Sequence, residues 1–404
     1  MPQTASLTSD DVVALDDELW EELIELTDGA AAVCYQCGVC TATCPWGLVR
    51  QKPLSVRTFM REAQLGLQNG SKPLWLCTTC AQCEAYCPRG VDITGVFRGL
   101  RSLAWKRNQS HHGLPTLLWS VYWNNNPWEQ PPSQRSQWAK KLDIPIFDPH
   151  QHEILFYVGC TSSYDSRAQK IAIALVRILK AARVEFGFLG DDEPCCGEAV
   201  LSVGHKPYFD EVAQQTAQVF REKGVTQLVT ISPHCYDVFK NHYPPFVEQD
   251  FTPIHYTQYL AQLMDEGRLN VDRPLDARVA FQDPCYLGRH NSEYESPRRV
   301  LASIPGIEVV EMANSTVNGL CCGGGGGRMW LETAAGERFS DLRVTEAMET
   351  GAGILATACP FCLACLEDSV KGMKAEDLTV LDVAEIVAAG LHLSREISHG
   401  KLYL

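Results

Sequence analysis

Eighteen cysteines set the chemistry open to this chain of 404 residues. Eight of them fall in two runs of one spacing: CYQCGVCTATCP, with Cys34, Cys37, Cys40 and Cys44, and CTTCAQCEAYCP, with Cys77, Cys80, Cys83 and Cys87. Both read C-x2-C-x2-C-x3-C followed by proline, the spacing that winds a polypeptide around a cubane [4Fe–4S] cluster. Three cysteines at steps of three line a tight loop around three corners. The fourth, beside Pro45 or Pro88, reaches across to the neighbouring cluster. The expected ligand sets are therefore Cys34, Cys37, Cys40 with Cys87, and Cys77, Cys80, Cys83 with Cys44. Paired CxxC elements also bind zinc, but four cysteines this dense with a trailing proline, occurring twice, favour two cubanes.

Nine of the remaining ten cysteines build a rarer pattern in two copies, with Cys365 left over. Cys160 is followed by the adjacent Cys195 and Cys196 and then by Cys235. Cys285 is followed by Cys321 and Cys322 and then by Cys359 and Cys362. Matching members (Cys160 and Cys285, Cys195 and Cys321, Cys235 and Cys362) lie 125, 126 and 127 residues apart, which marks an internal repeat. Each group closes an apolar run that reads as a strand: EILFYVG before Cys160, QLVTISPHC at Cys235, ARVAFQDP before Cys285, and GILATACPFC at Cys359 and Cys362. Residues 165–182 and 331–349 read as helices between them. Strands alternating with helices imply small parallel-sheet α/β units, whose ligands gather where strands end. Adjacent cysteines need a bent loop to meet one cluster. The five glycines Gly323 to Gly327 supply that freedom and bring N–H groups near an anionic cluster, with Gly323 and Gly324 as the cofactor-binding positions. A vicinal disulfide or a zinc site is the alternative, and neither explains the recurrence. The glycine run lacks the Lys-Ser/Thr ending of a phosphate loop.

Taken together, CYQCGVCTATCP, LWLCTTCAQCEAYCPRGVDI, GLCCGGGGG and ACPFC resemble the fused catalytic subunit of heterodisulfide reductase and its bacterial relatives, over nearly the whole chain. The resemblance implies a two-cluster ferredoxin part ahead of tandem CCG domains. It implies one non-cubane [4Fe–4S] cluster on Cys285, Cys321, Cys322, Cys359 and Cys362, which would then be the catalytic residues of disulfide reduction. The first copy departs from that pattern, because Ser232 stands where the family has a cysteine. Cys160, Cys195, Cys196 and Cys235 remain, enough for a further [4Fe–4S] cluster, either an ordinary cubane or a modified site whose gap a hydroxyl or substrate fills. A serine oxygen is a harder, less common ligand than a thiolate. Cys365 is expected as a buried structural side chain. His234 and His290, beside these cysteines, are candidate donors of the two protons that disulfide reduction needs; hydrogen bonding or plain packing is their other reading.

Three parts must position these groups, and the expected fold class is α+β and α/β. Residues 1–110 form a mostly helical two-cluster ferredoxin-type domain, with helical periodicity at 54–67 and 91–106. An acidic stretch over residues 10–28, carrying Val12, Val13, Leu15, Leu19, Leu23 and Ile24, reads as an amphipathic helix over that domain. Residues 111–152 are a connector rich in Trp, Asn, Pro and Gln that wraps the surface, its tryptophans docking on neighbouring domains or facing a partner. Residues 153–272 form the first CCG domain, with the degenerate motif, and residues 273–404 the second, with the complete one.

The balance of 45% apolar and 21% charged residues is that of a globular protein. A net charge of −14 leaves no basic stripe for nucleic acid. The N-terminus lacks the basic and apolar segments of a signal peptide, and no apolar stretch is long enough to span a bilayer. Thiolate-bound clusters need a reducing compartment, so the cytoplasm is expected, or the inner face of the membrane reached through a partner. Two functions follow. One is a heterodisulfide reductase-like protein passing electrons through two cubanes to CCG clusters that reduce a disulfide or related sulfur substrate. The other is a non-catalytic relay in a flavin- or quinone-coupled complex, of the glycolate oxidase type or supplying aromatic acyl-thioester reduction. No flavin or NAD motif is present, so either reading requires an electron-donor partner, a flavin-containing or membrane cytochrome subunit.

Overall fold

Apolar runs of four to six residues, mostly buried, become the central strands of two parallel sheets. Near-continuous burial is what a sheet covered by helices on both faces requires. The first sheet contains β1 (Ile154–Tyr157), β2 (Phe186–Gly187), β3 (Gln227–Thr230) and β4 (Thr252–His255), in the order β2-β1-β3-β4. The second contains β5 (Ala277–Gln282), β6 (Ile307–Val310), β7 (Ile354–Thr357) and β8 (Thr379–Asp382), in the identical order β6-β5-β7-β8. Leu155 pairs with Leu228, and Val279 with Ile354, at the two central junctions. The chain reverses its direction of travel across each sheet between those central strands, so a crevice opens at their carboxyl ends. This computed structural model describes residues 15–51, 54–67, 72–248, 250–334 and 336–391.

The two repeats share one core. Ile171, Leu175 and Ile178 of the helix Gln169–Ala181 belong to the same buried cluster as Val383, Ile386 and Val387 of the helix Val383–Ala389. At ~1.5–3 kcal/mol for each fully buried aliphatic side chain, this interface is large enough to make the repeats one body. Polar contacts fix the register: the Tyr256 hydroxyl donates to Asp382 at 2.6 Å, and Arg167 grips both Glu385 carboxylate oxygens at 2.9 Å.

The N-terminal part is held by the helices Val56–Gln64 and Ile93–Lys106, whose apolar faces bury Phe59, Met60, Phe97 and Leu100. Their core continues into the second repeat through Tyr286 and Phe339. Arg101 is wholly buried and donates to four carbonyls, those of Leu74, Cys77, Ser202 and Gly326, and so stitches together the N-terminal part and both repeats.

Some expectations shift. The N-terminal amphipathic helix is the shorter Asp17–Leu26, burying Leu19 and Leu23; Val12, Val13 and the whole of residues 1–14 lie outside the described residues. The helix expected over 331–349 starts only at Phe339, because the preceding residues line a cavity and Gly336 holds φ +80°. The connector does more than wrap the surface. Its helix Pro115–Asn124 buries Leu117 and Val121, and Asn126 and Arg135 are fully enclosed. Trp128 and Trp138 pack on the shared core, while Trp119 and Trp123 stay exposed.

Candidate functional site: four groups of cysteines

The two ferredoxin-type loops have the same backbone, turn for turn. Gln36 and Gly38 hold φ +65° and +88°; Thr79 and Ala81, at matching places, hold +51° and +56°. Three of these four are not glycine, so each costs about 1 kcal/mol or more and persists because the loop must curl inward. Alternating left- and right-handed residues turn successive N–H groups toward one centre, a concavity suited to an anion. The Thr79 N–H already points at Cys77 Sγ, 3.4 Å away.

Cys34, Cys37, Cys40 and Cys87 line one cavity, with Tyr35 and Met60. Cys44 lies instead with the second run, near Cys80 and Cys77, and Cys83 completes that group. Burial pushes the Cys77 thiol up to about 11 and those of Cys44 and Cys83 up as well. Thiols crowded like this stay protonated unless a cation compensates them. All eighteen cysteines are free of disulfides, which excludes the vicinal bridge between Cys321 and Cys322 in this structure.

The CCG groups sit at the crevices. Cys160 follows β1 and Cys235 begins the helix after β3, while Cys285 follows β5 and Cys359 caps the helix after β7. In the second repeat contacts run without a break from Cys285 to Cys321, Cys322, Cys362 and Cys359, with 3.3 Å between the Cys322 and Cys362 sulfurs. In the first they run from Cys160 to Cys195, Cys196 and Cys235, again with 3.3 Å at the last step. Gly197 and Gly323, at φ +80° and +95°, turn their N–H groups back onto Cys195 and Cys321 at 3.4 and 3.3 Å. A Cβ is disfavoured at such angles, which explains the glycine after each cysteine pair.

Each CCG group also receives an arginine that the sequence did not announce, fully buried in the first and half-buried in the second. Arg135, from the connector, donates to Cys160 Sγ at 3.2 Å and pairs with Glu193 at 3.5 Å. Arg289 lies among Cys80, Cys285 and Cys321, and its Nη2 is buried without a partner. A buried guanidinium facing thiols fits an anionic thiolate-bound group.

The second ferredoxin-type loop and the second repeat meet directly. Cys80 neighbours Cys321. Around them Arg289 donates to the Cys80 carbonyl at 2.6 Å, and Thr79 and Tyr286 share a hydroxyl contact of 2.7 Å. His290 Nε2 lies 2.8 Å from the Thr79 carbonyl, and its ring stacks on Tyr286. This residue packs the junction.

His234 crosses from the first repeat to the second. Its ring stacks on Tyr286 at 3.9 Å, meets Phe361 at a tilt with 4.7 Å between centroids, neighbours Cys359, and lies 3.2 Å from Glu198, although not aligned for a hydrogen bond to it. Burial works against a charged ring, but Glu198 and Cys359 outweigh it and hold the His234 pKa well above the ordinary value. Ser232 lines the same pocket as Cys160, Cys195, Cys196 and Cys235, together with Trp330 and Phe361 of the other repeat. Its hydroxyl accepts the His234 N–H at 3.3 Å and caps the helix, the ordinary work of serine at that position. Cys365, expected buried, is partly exposed. With Cys322, Gly324, Met329 and Trp46 it lines an open cavity of about 380 Å³.

Comparisons with known proteins agree with this architecture. Residues 30–91 match the 4Fe-4S dicluster domain, and residues 154–240 and 279–367 match the cysteine-rich CCG domain. The probable iron-sulfur-binding oxidoreductase FadF of Bacillus subtilis is 36% identical over 78% of this chain and 46% of its own length. The EtfAB:quinone oxidoreductase of Syntrophomonas wolfei is 34% identical over 79% and 46%. The chain thus spans just under half the length of these two relatives. The D-type polypeptide of the dihydromethanophenazine:CoB–CoM heterodisulfide reductase of Methanosarcina barkeri is 31% identical over 89% of this chain and 94% of its own length. Among the described residues no helix is long and apolar enough to cross a membrane. The chain belongs to the heterodisulfide reductase-type family of iron–sulfur oxidoreductases, built as a dicluster domain followed by two CCG domains.

Proposed function

We propose that the chain carries electrons from a partner subunit through two cubane sites to the second CCG group, where a disulfide or related sulfur substrate is reduced. Cys34, Cys37, Cys40 and Cys87 would hold the first cubane, and Cys77, Cys80, Cys83 and Cys44 the second. Cys285, Cys321, Cys322, Cys359 and Cys362 would hold a non-cubane cluster, and Cys160, Cys195, Cys196 and Cys235 a further cluster. Bound clusters supply one-electron storage that side chains lack.

The observation that carries this reading is the direct packing of the second ferredoxin-type loop on the complete CCG motif, where Arg289 donates to the Cys80 carbonyl, Thr79 meets the Tyr286 hydroxyl and Cys80 neighbours Cys321. Cleaving a disulfide to two thiols takes two electrons and two protons. His234, stacked on Tyr286, packed against Phe361 and beside Cys359, would be the side chain that holds a proton there. The cavity beside Cys322 gives a substrate access from solvent. The donor is a flavin-containing or cytochrome subunit, and the working compartment is the cytoplasm or the inner membrane face reached through that partner.

The degenerate first motif favours a second reading, a relay without substrate chemistry. Electron paramagnetic resonance of the oxidised protein, with and without candidate thiols, separates the two. A thiol-dependent signal is expected at the second CCG site. Its absence, with all clusters in place, leaves the relay.

A further inference from the structure

Electrons need a door, and the surface around Cys37 has the features of one. Cys37 is the one exposed cysteine among the described residues. Every second residue beside it also faces solvent: Val33 at 43%, Tyr35 at 57% and Val39 at 36% exposure. A loop that shows two valines and a tyrosine around an exposed ligand position presents an apolar centre. Its rim is cationic. Arg57 and Arg61 project one turn apart from the exposed face of the helix Val56–Gln64, and Arg57 lies against Gly38 of the loop. Arg89 stands beside Tyr35 on the other side.

Among the described residues none of these three arginines belongs to an ion pair, although eighteen such pairs are formed elsewhere. Of the nearby carboxylates, Glu84 accepts from the Thr94 N–H, Asp92 caps a helix through Gly95, and Glu62 lines the same groove as Arg57 and Arg61. A chain of net charge −14 repels an acidic partner in general, so an unpaired cationic rim around one apolar spot selects where such a partner lands.

We infer that the face formed by Val33, Tyr35, Cys37 and Val39, rimmed by Arg57, Arg61 and Arg89, docks an acidic one-electron carrier protein. This rests on the proposed electron flow and adds the place of entry and the charge of the partner. One electron passes from the reduced carrier to the chain; no bond forms and no proton moves.

A plant-type [2Fe–2S] ferredoxin, which is acidic, serves as the probe, and a basic c-type cytochrome as the counter-probe. The iron-loaded chain is expected to bind oxidised ferredoxin and to be reduced by the reduced form, both weakening steeply between about 50 and 500 mM salt. The R57Q/R61Q/R89Q variant is expected to lower the association rate about tenfold or more at low salt, with iron content and reduction by dithionite retained. Tyr35→Ala should raise the dissociation constant with no change in salt dependence. If the triple variant loses iron, the wild-type salt profile and the counter-probe decide. Salt-independent binding, an unchanged rate in the triple variant, or preference for the basic cytochrome overturns the docking face. Attachment to phosphatidylglycerol vesicles through the same arginines, with ferredoxin ignored, also overturns it. A chain that holds iron but cannot be reduced by dithionite defeats the electron-flow reading beneath.

Discussion

The two CCG repeats share a strand order, a left-handed glycine and a pair of adjacent cysteines, yet they use corresponding positions differently. Cys359 of the second repeat corresponds to Ser232 of the first, Phe361 to His234, and Gly324 to Glu198. The second repeat thus gathers five thiols. The first gathers four and turns its histidine toward the other repeat's Cys359. A second difference follows the glycine run. Gly325 and Gly326 correspond to Ala199 and Val200, which lie in the helix Glu198–Ser202. In the second repeat the second ferredoxin-type loop occupies that space: a Cβ on Gly325 would collide with the Thr78 carbonyl, and one on Gly326 with that of Cys77. The two crevices share a topology and differ both in their ligand residues and in the loop that packs against the glycine run.

The comparison breaks most sharply at Cys321, which has both Cys285 and Cys80 as neighbours. With all four sites loaded the chain should carry about sixteen irons. Cys321→Ala is expected to lose about four of them and to perturb the spectrum of the Cys77–Cys83 cubane as well. Cys195→Ala should also lose about four while leaving both cubanes unchanged. Ser232→Cys should alter the first repeat's spectrum without raising the iron count. Iron analysis and electron paramagnetic resonance of anaerobic protein test all three, and a firm wild-type value near twelve would mean that the first repeat is structural.

The glycine run gives the next effect. Gly326→Ala must push a backbone carbonyl away and hold a Cβ at φ +62°, for which ~2–4 kcal/mol of lost stability is expected. Gly325→Ala meets the carbonyl alone and should cost less. Gly353→Ala, with open space around it, should be nearly neutral. Thermal unfolding ranks them, and equal effects at Gly326 and Gly353 would remove the close-approach explanation.

His234 and Glu198 come third. His234→Phe copies the second repeat but leaves the buried Glu198 without its neighbour, at an expected ~1–3 kcal/mol. Glu198→Ala in the same background should recover part of that loss, with a coupling of ~1 kcal/mol or more in a double-mutant cycle. Additive losses would show that the two side chains do not act together.

The cysteine groups were legible because cluster ligation fixes spacing, and the repeat was legible because its offsets barely drift. The central strands could be read for the same reason, being continuous apolar runs. β2, with two residues, and the partly exposed β6 gave no such pattern. Arg135 and Arg289 could not be found, since each reaches its thiols across tertiary space from a segment of ordinary composition. Glu198 could have been: it follows Cys195-Cys196-Gly197 directly, and setting it beside Gly324 exposes an acid with no counterpart. The glycine run was read as backbone freedom for cluster binding. Gly323, Gly326 and Gly327 do hold positive φ, but Gly325 is glycine because another loop comes too close for a side chain.

The smallest expected effect concerns the helix caps that also correspond between repeats. His255 caps Tyr256–Asp265 and Asp382 caps Val383–Ala389, each with a capping box. Burial lowers the His255 pKa to about 3 and raises that of Asp382 to about 8, so both are neutral through much of the acid range. Their linkages have opposite signs. For His255 the folded value lies below the ordinary 6.5, so its contribution is full above pH 6.5 and is lost as pH falls toward 3. For Asp382 the folded value lies above the ordinary 3.8, so its contribution is full below that pH and is lost as pH rises to about 8. Between pH 3.8 and 6.5 the two slopes, each at most ~1.4 kcal/mol per pH unit, cancel. Above that window Asp382 acts alone. Asp382→Asn is therefore expected to gain stability relative to the parent as pH rises from 6.5 to 8, and His255→Gln to gain relative to it as pH falls below 6.5. Chemical denaturation of the anaerobic protein across this range measures both differences. A parallel, pH-independent offset in either variant would show that the cap in question does not titrate between the folded and unfolded states.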